Sequence, residues 1–208
     1  MERIDAILHA FEEMFPRANI ELHHTNGLEL LIAVMLSAQS TDASVNKITP
    51  ALFSKYKTAS DYINVPIETL ENDLKAIGLY KNKAKNIKAT AQAIKERFDG
   101  QVPSTQTDLE SLPGVGRKTA NVVLSVLYNV PRIAVDTHVE RVSKRLKLAY
   151  NKDSPLKVEE KLMRKFPKSS WSKLHHQMIF FGRYHCLAKK PKCERCPLIH
   201  WCRYPNIG

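Results

Sequence analysis

The sequence predicts an all-α fold. Apolar residues recur at three- and four-residue spacing through most of the 208-residue chain, and Thr, Asn and Asp stand just ahead of those runs, where helix caps belong. No convincing run alternates apolar and polar residues as a half-buried strand would. In chain order, Ile4, Ile7, Leu8, Phe11 and Phe15 form the first helical face, which Pro16 ends. Residues 28–37 read as a buried helix with Thr25 or Asn26 as its cap. Thr41-Asp42 caps the next helix, which carries Val45, Ile48, Leu52 and Phe53. Pro66 sits near the start of a helix running through Leu70, Leu74 and Ile77 to a stop at Gly78. Ala84, Ile87, Ala91, Ile94 and Phe98 make another amphipathic face, closed by Asp99-Gly100, and Thr107 caps a short helix. After Pro131 a short apolar link reaches Asp136-Thr137-His138-Val139-Glu140. Thr137 and Glu140 have capping-box spacing and open a helix bearing Val142, Leu146 and Leu148. Helices over 155–166 and 171–182 follow. There is no strong internal repeat, and the best domain division falls near 130–135, after the long helix that follows the hairpin.

The chain is organised around Leu112-Pro113-Gly114-Val115-Gly116-Arg117-Lys118-Thr119-Ala120-Asn121. This reads as a tight hairpin feeding a well-buried helix. Pro113 sets one backbone angle, and Gly114 and Gly116 allow conformations that a Cβ would resist. Such a hairpin at a helix N-terminus leaves backbone N–H groups pointing outward, ready for a phosphate. An ordinary helix-helix turn is the plain alternative, but Arg117 and Lys118 follow directly in a strongly basic protein. The pattern predicts a docking point for a nucleic-acid backbone.

The formal net charge of +11 points to a polyanionic partner. An anionic membrane surface would also attract such a chain. However, the longest nearly uninterrupted apolar stretch, residues 28–38, contains Glu29 and is too short to span a bilayer. Met1-Glu2-Arg3-Ile4-Asp5 is not a basic region leading into an apolar signal core. A soluble intracellular protein is expected, with no membrane role.

All four cysteines fall in the last 23 residues, as Cys186-x6-Cys193-x2-Cys196-x5-Cys202. Four thiolates so close in sequence can surround one metal centre, and the tail holding them has few large apolar residues to order it otherwise. Disulfides are the other use of such cysteines, but nothing suggests secretion. Structural zinc usually takes two short Cys-x2-4-Cys pairs, whereas this tail has one short pair and two wider gaps. Spacing leaves zinc and an iron–sulfur cluster both open. Lys189, Lys190, Lys192 and Arg195 lie between the ligands; a loop held rigid by a metal could set those cations along DNA phosphates.

With these residues in hand the sequence closely resembles the endonuclease III family, bacterial DNA glycosylases of the helix-hairpin-helix superfamily. The matching segments are Leu-Pro-Gly-Val-Gly-Arg-Lys-Thr-Ala-Asn-Val-Val at 112–123, Ala-Val-Asp-Thr-His-Val at 134–139 and the four cysteines. Leu-Leu-Ile-Ala-Val-Met-Leu-Ser-Ala-Gln-Ser-Thr-Asp at 30–42 and Ile-Gly-Leu-Tyr-Lys-Asn-Lys-Ala at 77–84 also look like family segments. The resemblance covers nearly the whole chain. It implies a [4Fe–4S] cluster at Cys186, Cys193, Cys196 and Cys202, and two helical domains flanking a DNA cleft. One would be a barrel-like helical domain with the helix-hairpin-helix motif (21–132). The other, the iron–sulfur domain, would be discontinuous, formed by 1–20 and 133–208. The implied partner is double-stranded DNA containing damaged pyrimidines or abasic sites, and the implied setting is the bacterial cytoplasm and nucleoid, with the protein acting as a monomer.

By the same resemblance, such enzymes remove a damaged base and then cut the strand. The base must first leave the stack, at a cost of a few kcal/mol. Gln39 would fill the gap and Leu79 would wedge into the duplex, although locally Gln39 reads as the polar end of a buried helix and Leu79 as the apolar contact of a C-cap. The hairpin residues Leu112, Gly114, Gly116 and Arg117 would bind the backbone with Lys189, Lys190 and Lys192. Lys118 would be the nucleophile at the sugar C1′. A free lysine has a pKa of about 10.4, so the amine must be made available. A helix N-terminus, adjacent Arg117 and partial burial are expected to lower it toward roughly 7–8. Asp136 is the family's catalytic carboxylate. It could stabilise charge developing on the sugar and assist deprotonation of the amine, with Thr137 and Glu140 left to cap the helix. His138 is either packed or lines the same site. A monofunctional mismatch or adenine glycosylase would lack this lysine or add a C-terminal recognition domain, whereas this chain has Lys118 and ends six residues after Cys202. A non-catalytic DNA-binding module would not need Lys118 with Asp136.

Overall fold

The computed structural model describes residues 2–204, which contain helices and no strand. Contacts divide the chain into two units: 21–128, and 1–20 together with 129–208.

The continuous unit holds α2 (Gly27–Leu36), α3 (Asp42–Lys55), α4 (Ala59–Asn64), α5 (Ile67–Asp73), α6 (Tyr80–Arg97), α7 (Gln106–Glu110) and α8 (Arg117–Leu127). It follows α1 (Arg3–Met14), which belongs to the other unit. Seven successive residues of α2, Leu30 to Leu36, are buried, because α3, α6 and α8 surround it. Asn26 caps it through the Glu29 N–H, and the Glu29 carboxylate accepts from Thr25 N and Oγ1 at 2.6 and 2.8 Å. Gly27 admits the close approach of α8: a Cβ there would stand 2.7 Å from Leu127 Cδ2.

Three local expectations change. The helix after Pro66 ends at Asp73, not Gly78. The Asp73 carboxylate is drawn to Lys55 Nζ (2.8 Å) and Tyr56 Oη (2.7 Å), and Leu74 and Ile77 enter the core from a turn instead. Helix α4 was not foreseen: with six residues it is too short to show periodicity. A Thr58–Asp61 capping box starts it, and Lys88 Nζ donates to the carbonyls of Tyr62, Ile63 and Val65 at its end. Thr105, not Thr107, caps α7, accepting from Asp108 N at 3.1 Å.

The second unit joins α1 to α9 (Thr137–Arg145), α10 (Pro155–Lys165) and α11 (Trp171–Phe180). Ile7 and Phe11 pack with Val139, Val142, Leu162, Leu174, Met178 and Phe181. Gln177 Nε2 donates to Phe11 O (3.3 Å), Phe15 O (3.4 Å) and Glu12 Oε2 (3.0 Å), tying α1 to α11 across most of the sequence. A π-helical turn over Phe181–His185 ends α11 and delivers the chain to Cys186. No described helix is long and apolar enough to cross a membrane.

Candidate nucleic-acid interface and metal centre

The hairpin 112–116 rests on α6. Gly114 has φ +75°, and a Cβ there would meet Asn86 of α6 at 2.7–2.8 Å. Thr90 Oγ1, one turn further along α6, donates to Pro113 O at 2.6 Å. Glycine at 114 is therefore required twice, by conformation and by space. Gly116 is different from expectation: its φ is −95°, which any residue adopts, and nothing lies within 4 Å of an added Cβ. What Gly116 offers is open space at the N-terminus of α8, where the N-cap residue has no side chain of its own to take a first-turn N–H. Leu112 is 2 % exposed, so its side chain belongs to the core, and its carbonyl closes the turn by accepting from Val115 N at 3.1 Å.

Arg117 and Lys118 are the first two residues of α8 and both are exposed. The partial burial expected for Lys118 is absent: the N-terminus of α8 stands clear of the unit that α8's apolar face fills. Arg117 Nη1 lies 3.9 Å from Glu110.

Gln39 and Leu79 share a property that the sequence did not reveal. Each is a non-glycine residue in the left-handed region, at φ +53° and +60°. Such a conformation is held at a cost of about 1–3 kcal/mol and clusters at functional sites. Leu79 is 54 % exposed, so it is not the buried apolar contact of a C-cap. It is the N-cap of α6, and the Gln39 carbonyl lies beside Gly78, 3.9 Å from where a Cβ would stand, an ordinary van der Waals contact. Gln39 is exposed as well, and the approach of its carbonyl to Gly78 makes the two loop tips neighbours in one unit.

Asp136 belongs to the second unit, and it is itself the N-cap of α9. Its Oδ1 accepts from His138 N (2.9 Å) and Val139 N (2.8 Å), and the helix begins at Thr137. The expected capping box fails because a carboxylate one residue earlier takes both orphan N–H groups, and Glu140 pairs with Lys144 at 2.5 Å. Both of these bonds fall on Oδ1, which fixes the carboxylate plane and leaves Oδ2 outside them. His138 is half-buried and packs over Gly182, where a Cβ would stand 2.9 Å from the His138 Cβ. Burial lowers its pKa, Asp136 opposes the shift, and the Arg141 and Arg183 guanidiniums add to the lowering. Arg141 Nη2 lies 3.2 Å from His138 Nδ1, as suits a guanidinium donating to a neutral ring.

The four cysteines, all half-buried and free of disulfides, line one small cavity with Arg145, Leu146, Phe181, His185 and Ile199. Among the described residues, no three His, Cys, Asp or Glu side chains converge where a single metal ion could be held. Burial raises the Cys186 thiol and pushes Cys196 up to about 11, so thiolates here require a compensating cation. Two groups suit negative sulfur: Arg145 Nη1 lies 3.2 Å from Cys186 Sγ, and Tyr204 N donates to Cys202 Sγ at 3.3 Å. This donor set fits an iron–sulfur centre. Lys189, Lys190 and Lys192 are exposed beside it, Lys190 again at positive φ, +50°.

Arg141 and Arg145 were missed by sequence reasoning. They lie one turn apart on α9 and both reach the start of the cysteine loop: Arg141 Nη2 donates to Gly182 O (2.7 Å) and Cys186 O (3.3 Å), and Arg145 donates to Leu187 O (2.7 Å) and Ala188 O (3.1 Å). The signal was available, since Arg145 falls beside Val142 and Leu146 on the apolar stripe of α9, where a cation needs a buried purpose.

Comparison with known proteins agrees with this geometry. Residues 32–168 match the HhH-GPD superfamily base excision DNA repair protein, and residues 186–202 match the iron–sulfur binding domain of endonuclease III. Endonuclease III of Bacillus subtilis strain 168 is 57 % identical over 203 residues, covering 98 % of this chain and 93 % of that protein. Endonuclease III of Escherichia coli K12 is 44 % identical over 198 residues, covering 95 % and 93 %. Among solved structures, a trapped endonuclease III–DNA covalent intermediate in an estranged-adenine complex superposes with TM-score 0.95 at 56 % identity, covering 98 % of this chain and 96 % of that one. A thermostable thymine-DNA glycosylase, 24 % identical and covering 97 % and 96 %, shares the fold with TM-score 0.87. With the hairpin, the capped aspartate and the cysteine cavity all present, the chain belongs to the endonuclease III family of the HhH-GPD superfamily, enzymes that are bifunctional DNA glycosylases and AP lyases.

Proposed function

We propose that this enzyme excises oxidised or ring-saturated pyrimidines from duplex DNA and cuts the strand at the abasic site through a Schiff base on Lys118. The observation that carries the reading is Lys118 itself, an exposed amine in the first turn of a helix whose N-cap is a glycine with open space around it. That a relative 56 % identical was trapped as a covalent intermediate with DNA supports a nucleophilic side chain. The neutral Nζ attacks C1′ as the N-glycosidic bond breaks, and the base departs with the bonding pair and a proton. Opening of the sugar ring leaves an imine. Loss of a C2′ proton then expels the 3′ phosphate with the electrons of its C–O bond, and water hydrolyses the imine to regenerate the amine.

Asp136 stabilises positive charge developing on the sugar and accepts the proton of the attacking amine. Its Oδ1 bonds to two backbone N–H groups hold it in one orientation. Gly114, Gly116 and Arg117 dock the phosphate backbone at the start of α8, Gln39 fills the vacated space and Leu79 wedges the stack. Cys186, Cys193, Cys196 and Cys202 hold a [4Fe–4S] cluster. Four thiols lining one cavity can each give a thiolate to one of four irons, and the match of residues 186–202 to the iron–sulfur binding domain of endonuclease III supports that reading over zinc. When bound, the cluster supplies a rigid cross-link; the chemistry needs no electron transfer. The protein works as a monomer on the bacterial nucleoid. Base release and strand cutting on a duplex with one thymine glycol test the proposal: wild type performs both and leaves an undamaged duplex intact. Equal action on damaged and undamaged DNA, or none on either, overturns it.

A further inference from the structure

Lys83 has no part in the site described above, yet it is one of the most deeply placed cations in its unit, only 7 % exposed. It stands in the first turn of α6, on the same buried face as Ile87, Thr90 and Ile94. Its Nζ donates to Leu36 O at 2.8 Å and to Ser40 Oγ at 2.9 Å. Leu36 ends α2 and Ser40 follows Gln39, so one ammonium grips the turn that carries Gln39 on both sides. The carbonyls at a helix C-terminus favour a cation there, which explains why a buried ammonium is tolerated without a carboxylate. The Lys83 backbone serves the other loop: its N–H donates to Leu79 O at 3.0 Å, the first hydrogen bond of α6. Two left-handed loop tips are thus fastened to one residue. Further along the same helix, Asn86 packs under Gly114 and Thr90 Oγ1 bonds to the hairpin, so residues 79, 83, 86 and 90 form one face at helical spacing.

We propose that Lys83 is a positioning residue that keeps Gln39 in register with Leu79, so that the gap is filled as the stack is wedged. This rests on the reading of Gln39 and Leu79 as DNA contacts. Without the ammonium the Gln39 turn loses its two hydrogen bonds to the start of α6, and its left-handed conformation relaxes. Eversion of a stacked base then suffers more than chemistry on a site whose base is already gone.

The test compares two duplexes, one with a paired thymine glycol and one with a preformed abasic site, under single-turnover conditions. Lys83→Met is expected to slow excision of thymine glycol by about tenfold to a hundredfold, the equivalent of one charge-assisted hydrogen bond. Its loss on the abasic duplex is expected to be at least fivefold smaller. Ser40→Ala, which removes one acceptor and leaves the fold intact, shows the same preference at about threefold to tenfold. Lys88→Met is the structural control: it uncaps α4 from the same helix and is expected to affect both duplexes alike. Equal losses on the two duplexes for Lys83→Met and Ser40→Ala, or losses that follow Lys88→Met, overturn the inference. Gln39→Ala and Leu79→Ala run alongside. If they show no preference for the stacked lesion, the DNA reading fails; if they do and Lys83→Met does not, only the role of Lys83 fails.

Discussion

Replacing Gly114 by alanine isolates the demand that the hairpin makes on its glycines. At φ +75° an L-residue costs about 1–2 kcal/mol relative to glycine. The new Cβ would also stand 2.7 Å from Asn86 Nδ2 and 2.8 Å from Asn86 Cβ and Cγ. Rotating the Asn86 amide away costs about 0.5–1.5 kcal/mol. Its Cβ is fixed by α6 and cannot yield, so the hairpin itself must shift by some tenths of an ångström. Together these give a destabilisation of about 1.5–3.5 kcal/mol, which for a chain of this size lowers Tm by roughly 3–14 °C. Gly116→Ala is the matched contrast. With φ −95° and nothing near its Cβ, it is expected to change stability by less than about 0.5 kcal/mol. It nevertheless weakens DNA binding, because the methyl occupies the space a phosphate would approach. Calorimetry with fluorescence anisotropy on a lesion duplex reads both. A Gly114→Ala protein melting within 1 °C of wild type, or Gly116→Ala binding DNA undiminished, refutes this division of roles.

Other perturbations separate the remaining parts. Arg145→Met removes donors to Leu187 O, Ala188 O and Cys186 Sγ, and is expected to cost about 2–4 kcal/mol. It should also reduce iron per chain after purification; full iron content with unchanged Tm would contradict the clamp. Cys193→Ser is expected to damage folding or DNA affinity before chemistry, which urea unfolding and binding assays resolve; loss of the centre with both intact would oppose a structural role. Burial holds His176 at about 4, below the ordinary value near 6.5, so the unfolded chain binds the proton first as pH falls. Stability is therefore full above about pH 6.5 and is lost on acidification until about pH 4. This one group contributes about 2 kcal/mol of loss between pH 7.5 and 5. His176→Leu should flatten that difference in urea midpoints, and an unchanged slope would refute it.

What the sequence made legible were the elements with strong periodicity. The stripes of α1, α6, α9 and α10 and the caps at Asn26 and Thr41 follow from spacing and side-chain chemistry alone. The hairpin was legible because Gly-x-Gly, Arg and Lys converge at a helix start. Other features depend on tertiary partners. The apolar packing of α1 against α11 is pinned by Gln177, a polar residue that periodicity cannot interpret. The left-handed backbone at Gln39 and Leu79 is invisible because neither residue favours it locally. Asp136 was assigned a free carboxylate and Thr137 the cap, but both preferences meet at one helix start, and the carboxylate wins while keeping one oxygen outside the cap. Lys83 and Arg145 lay on apolar faces in plain view. Their purpose appears only when the carbonyls that they bind are in place.

The most direct test of the central claim is borohydride trapping on a duplex carrying one thymine glycol, with wild type and Lys118→Gln side by side. The account predicts a covalent protein–DNA adduct with wild type and none with Lys118→Gln, which still binds the duplex. An adduct that persists in Lys118→Gln, or none with wild type despite specific binding, would contradict Lys118 as the Schiff-base nucleophile.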